Sequence, residues 1–455
     1  MPRLSIRLLT GLVAAAFALA AAPAAHATTA PFPYCSWWLE TTPETANVAF
    51  PDAAATYWTT PFLASAGTSI QVDGAYPDAR YMSFNVYDDS FGTFTLNGVS
   101  SGLADYLITP ASGSVNPFQT KGSPGGAFTL TLSLDAQPGQ VNTLPLAPTT
   151  QSTGSLPAPL GYLVYRTYLP NGGNTTVPLP NVTLVQDGVS TKLSRCSKQQ
   201  QDRVAKATPA TAGTTADALS RALQVPPAGA TTEAIRGLAR TTSSSPSSGG
   251  GSGPCRGSAC PPSLRFFRAK PATTNSFFPN VDNAYVSALF RPRRGEVIVV
   301  RGKAASSPAG SSPAPWPQDD LDLRYWSLCN NVYRRPWPVV ANPLSGGRVD
   351  YGCADDDETK VDARGRYAFV VAPESQRTAV KAAGGTFVPY SSTQPNARQV
   401  LIFRNMLPNA TFTHAVQNVD PDGSPSSAAK AMGAYYPRAY RCTRGQFAGG
   451  SRRCG

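Results

Sequence analysis

Four arginines stand inside strand-like runs beside aromatic residues: Arg80 before Tyr81, Arg166 after Tyr165, Arg324 before Tyr325 and Arg404 after Phe403. A planar guanidinium suits a carboxylate or phosphate partner, so these positions are candidates for anion binding. The plainer reading, which we prefer, is a strand arginine paired with a nearby Asp78, Asp88 or Asp322 and packed along a tyrosine. Carboxylates cluster at Asp355-Asp356-Asp357-Glu358, just after Cys353, and again at Asp319-Asp320 and Asp322. No cofactor is expected, although hard oxygen ligands at Asp355, Asp357 and Glu358 could hold calcium. A carboxylate pair drawn from Asp355 and Asp322 could serve glycoside hydrolysis. A solvated acidic turn ahead of Tyr367 is the preferred reading, because charge runs are usually solvated. Trp316 and Trp337 lie in Pro-rich loops and are expected to be exposed, as sugar-stacking faces; the other tryptophans read as core.

The chemistry that is excluded is as informative. The chain has two histidines, His26 and His414. Sites needing two imidazoles are ruled out, which removes most zinc hydrolases. No G-x-S-x-G elbow stands in a strand-to-helix context to partner His414.

Residues 1–27 read as a secretory signal. Arg3 and Arg7 precede an apolar run, and Ala25-His26-Ala27 is a small-residue cleavage site ending at Ala27. Localisation is therefore expected to be secreted or cell-envelope-associated, with no transmembrane segment. In that compartment eight cysteines read as disulfides: Cys35, Cys196, Cys255, Cys260, Cys329, Cys353, Cys442 and Cys454. Sequential pairing is expected, the alternative being a crossing of the linker pair with the tail pair.

Residues 197–263 are a low-complexity linker, expected to be disordered: 45 of these 67 residues are Ala, Ser, Thr, Gly or Pro and none is aromatic. A short helix at 216–225 is the one element considered there. On either side the pattern is of strands. Phe128, Leu130, Leu132 and Leu134 alternate with polar residues, as do Met82, Phe84 and Val86 with Tyr81, Ser83 and Asn85. The reading is all-β, with two antiparallel β-sandwich domains at 28–196 and 264–441 and a disulfide-closed basic tail at 442–455. The charge is divided between them. Residues 28–196 carry 5 Lys+Arg against 10 Asp+Glu, and residues 264–455 carry 25 against 14.

The domains repeat one another. DARYMSFNVYDD, ending at Asp89, matches DLRYWSLCNN, ending at Asn331. GYLVYRTYLPN from Gly161 matches QVLIFRNMLPN from Gln399. Through Pro77-Asp78-Ala79-Arg80-Tyr81-Met82-Ser83-Phe84, Tyr87-Asp88 and Leu156-Pro157-Ala158-Pro159 with Tyr162 to Arg166, the first domain resembles the bacterial domain of unknown function numbered twelve-fourteen. The likeness covers about residues 57–190. The whole chain also resembles a group of secreted actinobacterial proteins sharing the RYWSLC segment. The resemblance implies a jelly-roll-like sandwich and brings no chemistry with it.

The function expected from these features is a secreted, non-catalytic envelope protein whose partner is an anionic cell-wall polymer or glycan. The alternatives are a carboxylate-dependent polysaccharide hydrolase and a structural or protein-interaction surface module. Nucleic acid is not an expected partner.

Overall fold

The structure is a computed structural model that describes residues 35–88, 91–146, 160–207, 264–270 and 278–448. The signal segment with Ala27, the 216–225 helix, and Cys255, Cys260 and Cys454 lie outside them. All described residues belong to one compact unit, Phe32–Gly455.

In chain order the first half forms β1 (Leu39–Thr41), β2 (Ala55–Leu63), β3 (Thr68–Ala75), β4 (Ala79–Tyr87), β5 (Thr95–Leu96), β6 (Val99–Ser100), β7 (Gly102–Ala104), β8 (Ala127–Ser133), β9 (Thr143–Pro145), β10 (Leu160–Pro170), β11 (Asn181–Gln186) and β12 (Val189–Leu193). The second half forms β13 (Asn283–Phe290), β14 (Glu296–Lys303), β15 (Leu323–Val332), β16 (Ala341–Pro343), β17 (Val349–Tyr351), β18 (Cys353–Asp355), β19 (Arg366–Ala372), β20 (Thr386–Pro389), β21 (Gln399–Pro408) and β22 (Arg438–Thr443). The protein is mostly β, as the alternation predicts.

Each half is a two-sheet sandwich, and the two halves share one plan. Sheet β1-β2-β10-β4-β7 corresponds to β13-β21-β15-β18, and sheet β12-β11-β3-β8-β9 to β22-β14-β19-β20. Each second sheet ends in a parallel pair, β8 with β9 and β19 with β20. Register makes the duplication exact at residue level. Arg166 lies opposite Ser83 and Tyr57, and Arg404 lies opposite Ser327 and Tyr285. Ala104 opposes Ser83 as Asp355 opposes Ser327. Asp105 and Asp356, the next residue in each case, are therefore equivalents.

Period-2 alternation fills each sandwich. Met82, Phe84 and Val86 meet Ile70, Val72, Leu130 and Leu132 in one core. Trp326, Leu328 and Phe403 meet Ile298, Val300 and Phe369 in the other. The opposite faces of β4, β10, β15 and β21 are not left to water. All residues of β4 and β15 are buried. Tyr81, Tyr168 and Ala55 of the first half form a cluster with Tyr325 and Met406 of the second, and the Tyr168 and Tyr325 rings meet edge-on at 5.0 Å. The sandwiches are thus joined face to face through the positions that the sequence presents as the polar side of each strand.

Two boundaries differ from the sequence reading. Lys198–Ala207, assigned to the linker, is a helix whose Val204 and Ala205 pack on the first half. Cys442, assigned to the tail, lies within β22, and the following helix buries Phe447. The Cys35–Cys196 and Cys329–Cys353 bridges form as expected from their order, and Cys442 is also disulfide-bonded.

Candidate functional site

The four strand arginines all lie between the halves, each at most 3% exposed. Their partners are not the neighbouring Asp78, Asp88 or Asp322. Arg80, at the start of β4, crosses to the second half. Its Nη1 donates to both Asp356 oxygens at 2.7 and 2.8 Å, its Nε donates to the Gly310 carbonyl at 2.7 Å, and its Nη2 pairs with Asp357. Arg324, its equivalent in β15, crosses the other way. Its Nε and Nη2 donate to the Arg80 carbonyl, and Nη2 stands 3.4 Å from Asp105. Its guanidinium lies over the Phe118 and Trp316 rings.

Arg166 and Arg404 point from mid-strand into the same layer. Arg166 packs over Tyr57 and donates to the Tyr87 hydroxyl at 2.9 Å. Arg404 packs over Tyr285, donates to the Phe50 carbonyl at 2.7 Å, and stands 3.5 Å from Asp52. Ser327 Oγ donates to the same Asp52 oxygen, Oδ2, at 2.7 Å. These arginines form a buried polar layer that holds the halves in register, with no face open to a ligand of polymer size.

The acidic run is part of that layer. Asp355 accepts the Glu358 amide through its side chain and the Thr359 hydroxyl through its carbonyl. Asp357 also accepts the Gly310 amide. Asp355, Asp357 and Glu358 therefore do not converge as calcium ligands; Arg80 supplies the positive charge instead. Among the described residues, the one grouping with metal-ligand spacing is Asp52, Cys329 and Cys353, and its sulfurs are bonded to each other. The run is a turn solvated only in part: Asp355 is buried and the Asp356 side chain is 3% exposed, whereas Asp357 and Glu358 are exposed. Asp322, the other carboxylate considered, accepts the Ser306 amide.

The two tryptophans expected at the surface are buried. Trp316 is 6% exposed and Trp337 is 3% exposed. Trp337 stacks on Phe50 of the first half with ring centroids 5.7 Å apart. Their Pro-rich loops looked solvent-facing because the surface covering them comes from the other half. His414 stacks on Tyr435 and bonds the Ala431 carbonyl through Nδ1, a structural role.

Burial outweighs the facing arginines at two carboxyls. Asp105 is pushed up to about 6, with Arg324 opposing the shift. Asp356 is pushed up to about 7, with Arg80 opposing. Both folded-state values exceed the ordinary unfolded value of about 3.9, so the fold binds these protons more tightly than the unfolded chain. Their contribution is fully present below about pH 4 and is lost as pH rises through 6 to 7. Thermal unfolding scans should show a melting temperature that falls between pH 5 and pH 8. The profile should flatten in the Asp105→Asn and Asp356→Asn variants.

A different set of residues faces solvent. Arg291, Arg334 and Arg398 line an open cleft of about 630 Å³ with Tyr333, Gln394, Pro395, Asn396 and Ala397. Its frame is the join of three segments. Arg291 follows β13, Arg334 follows β15, and Arg398 precedes β21, where the Tyr333 amide bonds the Arg398 carbonyl. No acidic side chain lines the cleft. Among the described residues none of the three arginines is ion-paired. The sequence reading missed them because they are scattered along the chain. The repeat itself held the signal. Gln399 opposes Phe290 as Gly161 opposes Phe62, so Arg398 and Arg291 stand where the first half has the apolar Leu160 and Leu63.

Among the described residues no helix is long and apolar enough to cross a membrane. No family model and no curated protein matches the chain. Among solved structures it is similar to an uncharacterised protein from Burkholderia cenocepacia, at 11% identity and a TM-score of 0.47, covering 90% of this chain and 84% of that one. It is also similar to the VPA0106 protein from Vibrio parahaemolyticus, at 12% identity and a TM-score of 0.39, covering 88% and 92%.

Proposed function

We propose that the chain is an exported, non-catalytic protein of the cell envelope that binds an anionic polymer through the arginine cleft of its second half. The observation that carries this reading is the convergence of Arg291, Arg334 and Arg398 on one open cleft with no acidic lining residue. Three guanidiniums held close without counter-charges repel one another, and an anion placed among them relieves that repulsion. Tyr333 lines the same cleft, and an aromatic side chain there suits a sugar ring. The excess of 25 Lys+Arg over 14 Asp+Glu in residues 264–455 extends the attraction beyond the cleft. The disulfides fit an oxidising compartment. The glycosidase reading is not favoured, because Asp355 is tied to backbone and hydroxyl donors beside Arg80's partners and Asp322 to the Ser306 amide.

The test is binding of polygalacturonate by the full chain and by an Arg291→Gln/Arg334→Gln/Arg398→Gln variant. A cation near an anionic surface contributes about 1 kcal/mol. Losing three should weaken binding on the order of 100-fold at low salt. The difference should fade as added salt screens the exposed charges. Equal affinity of the two proteins would remove the cleft from the account.

A further inference from the structure

We infer that each half carries a self-complementary docking surface: the face now covered by the duplicate half also fits a second copy of the same half. The inference rests on reciprocity across the join. In a two-fold interface, if residue i of one partner meets j of the other, then j of the first meets i of the second. Arg80 meets Asp356, and Arg324 meets Asp105. Arg80 is the equivalent of Arg324, and Asp105 of Asp356, by the strand register above.

The arms flanking the layer obey the same rule. The Phe50 amide donates to the Trp337 carbonyl, and the Phe278 amide donates to the Phe91 carbonyl. Phe50 stands five residues before β2 and Phe278 five before β13. Both ring pairs are in contact, at 5.7 Å and 4.6 Å. All four of these residues have positive φ, between 48° and 64°, a costly conformation for aromatic side chains. So do Leu169 and Leu407, whose amides bond the carbonyls of Ala54 and Asp282. Two unrelated surfaces brought together would not reproduce matched ion pairs, matched amide bonds and matched strained residues. Each surface retains the contacts of a two-fold pair, so its fitting partner is a second copy of itself.

In a pair of second halves, Arg324 of each copy meets Asp356 of the other. In a pair of first halves, Arg80 of each copy meets Asp105 of the other. The match is incomplete where the halves have diverged. Tyr106 stands in the first half where Asp357 adds its charge in the second. Asn280 stands in the second half where the first has Asp52, so the Arg404–Asp52 pair has no counterpart at Arg166, which bonds Tyr87 instead.

The experiment uses the full chain. Arg80→Glu sets a carboxylate against Asp356 and Asp357, which should open the internal join and free the second-half surface. Light scattering on the eluted protein should then show the mass doubling from one chain to two relative to the unsubstituted protein. Cross-links should run from second half to second half. Arg324→Glu should give the opposite dimer, through first halves. The double variant Arg80→Glu/Arg324→Glu spoils both surfaces and should not pair. Arg80→Gln, a milder change, serves where Arg80→Glu fails to fold, and should show a smaller dimer fraction with the same cross-links. The inference is overturned if the single variants stay at one-chain mass. It is equally overturned by association that the double variant shares, or by cross-links that are not reciprocal.

Discussion

Arg80→Met should lower the unfolding free energy by about 3–5 kcal/mol, the cost of removing one partner from a buried ion pair. Methionine fills a similar volume but supplies no donors. Asp356, whose side chain is 3% exposed, would lose both of its Arg80 hydrogen bonds, and the Gly310 carbonyl would lose its partner. No other described ion pair reaches Asp356. The measurement is denaturant unfolding of the two proteins at pH 8 and at pH 5. The penalty should be smaller at pH 5, because Asp356 is already pushed up to about 7 and can take a proton instead of holding an uncompensated charge. An Asp78→Asn or Asp88→Asn change, by contrast, should leave Arg80 paired and cost well under the Arg80 value.

That contrast shows what could be read in advance. The β class, the duplicated strands, the cores built on Met82, Phe84 and Val86, and the order of the Cys35–Cys196 and Cys329–Cys353 bridges follow from alternation and position along the chain. The partners of Arg80 do not, because Asp356 lies 276 residues away and local carboxylates offered themselves first. Strand alternation separates a core face from a polar face, but it does not distinguish water from another polar face. Ser83 and Asn85 therefore read as outward and are buried. One residue-level signal pointed elsewhere. The faces of β4 and β10 that oppose the core carry Tyr81, Tyr87, Tyr162 and Tyr168, far more aromatic area than a solvent face needs. Trp316 and Trp337 were misplaced for the same reason: the surfaces that cover them belong to the other half of the chain.

The claim on which the account depends is that this polar and aromatic layer by itself holds the two halves together. A protease site placed within residues 243–253 tests it most directly. No disulfide can bridge such a cut: Cys35 is bonded to Cys196 on one side, and every other cysteine lies beyond residue 253. Once cut, the pieces are held by non-covalent contacts, among them the Arg80–Asp356, Arg324–Asp105 and Arg404–Asp52 pairs, the Tyr81, Tyr168, Tyr325 and Met406 cluster and the crossed arms at Phe50 and Phe278. Size-exclusion chromatography of the cut protein at micromolar concentration should show both pieces in a single peak at the mass of the intact chain. Two separate peaks, each a folded half, would contradict it.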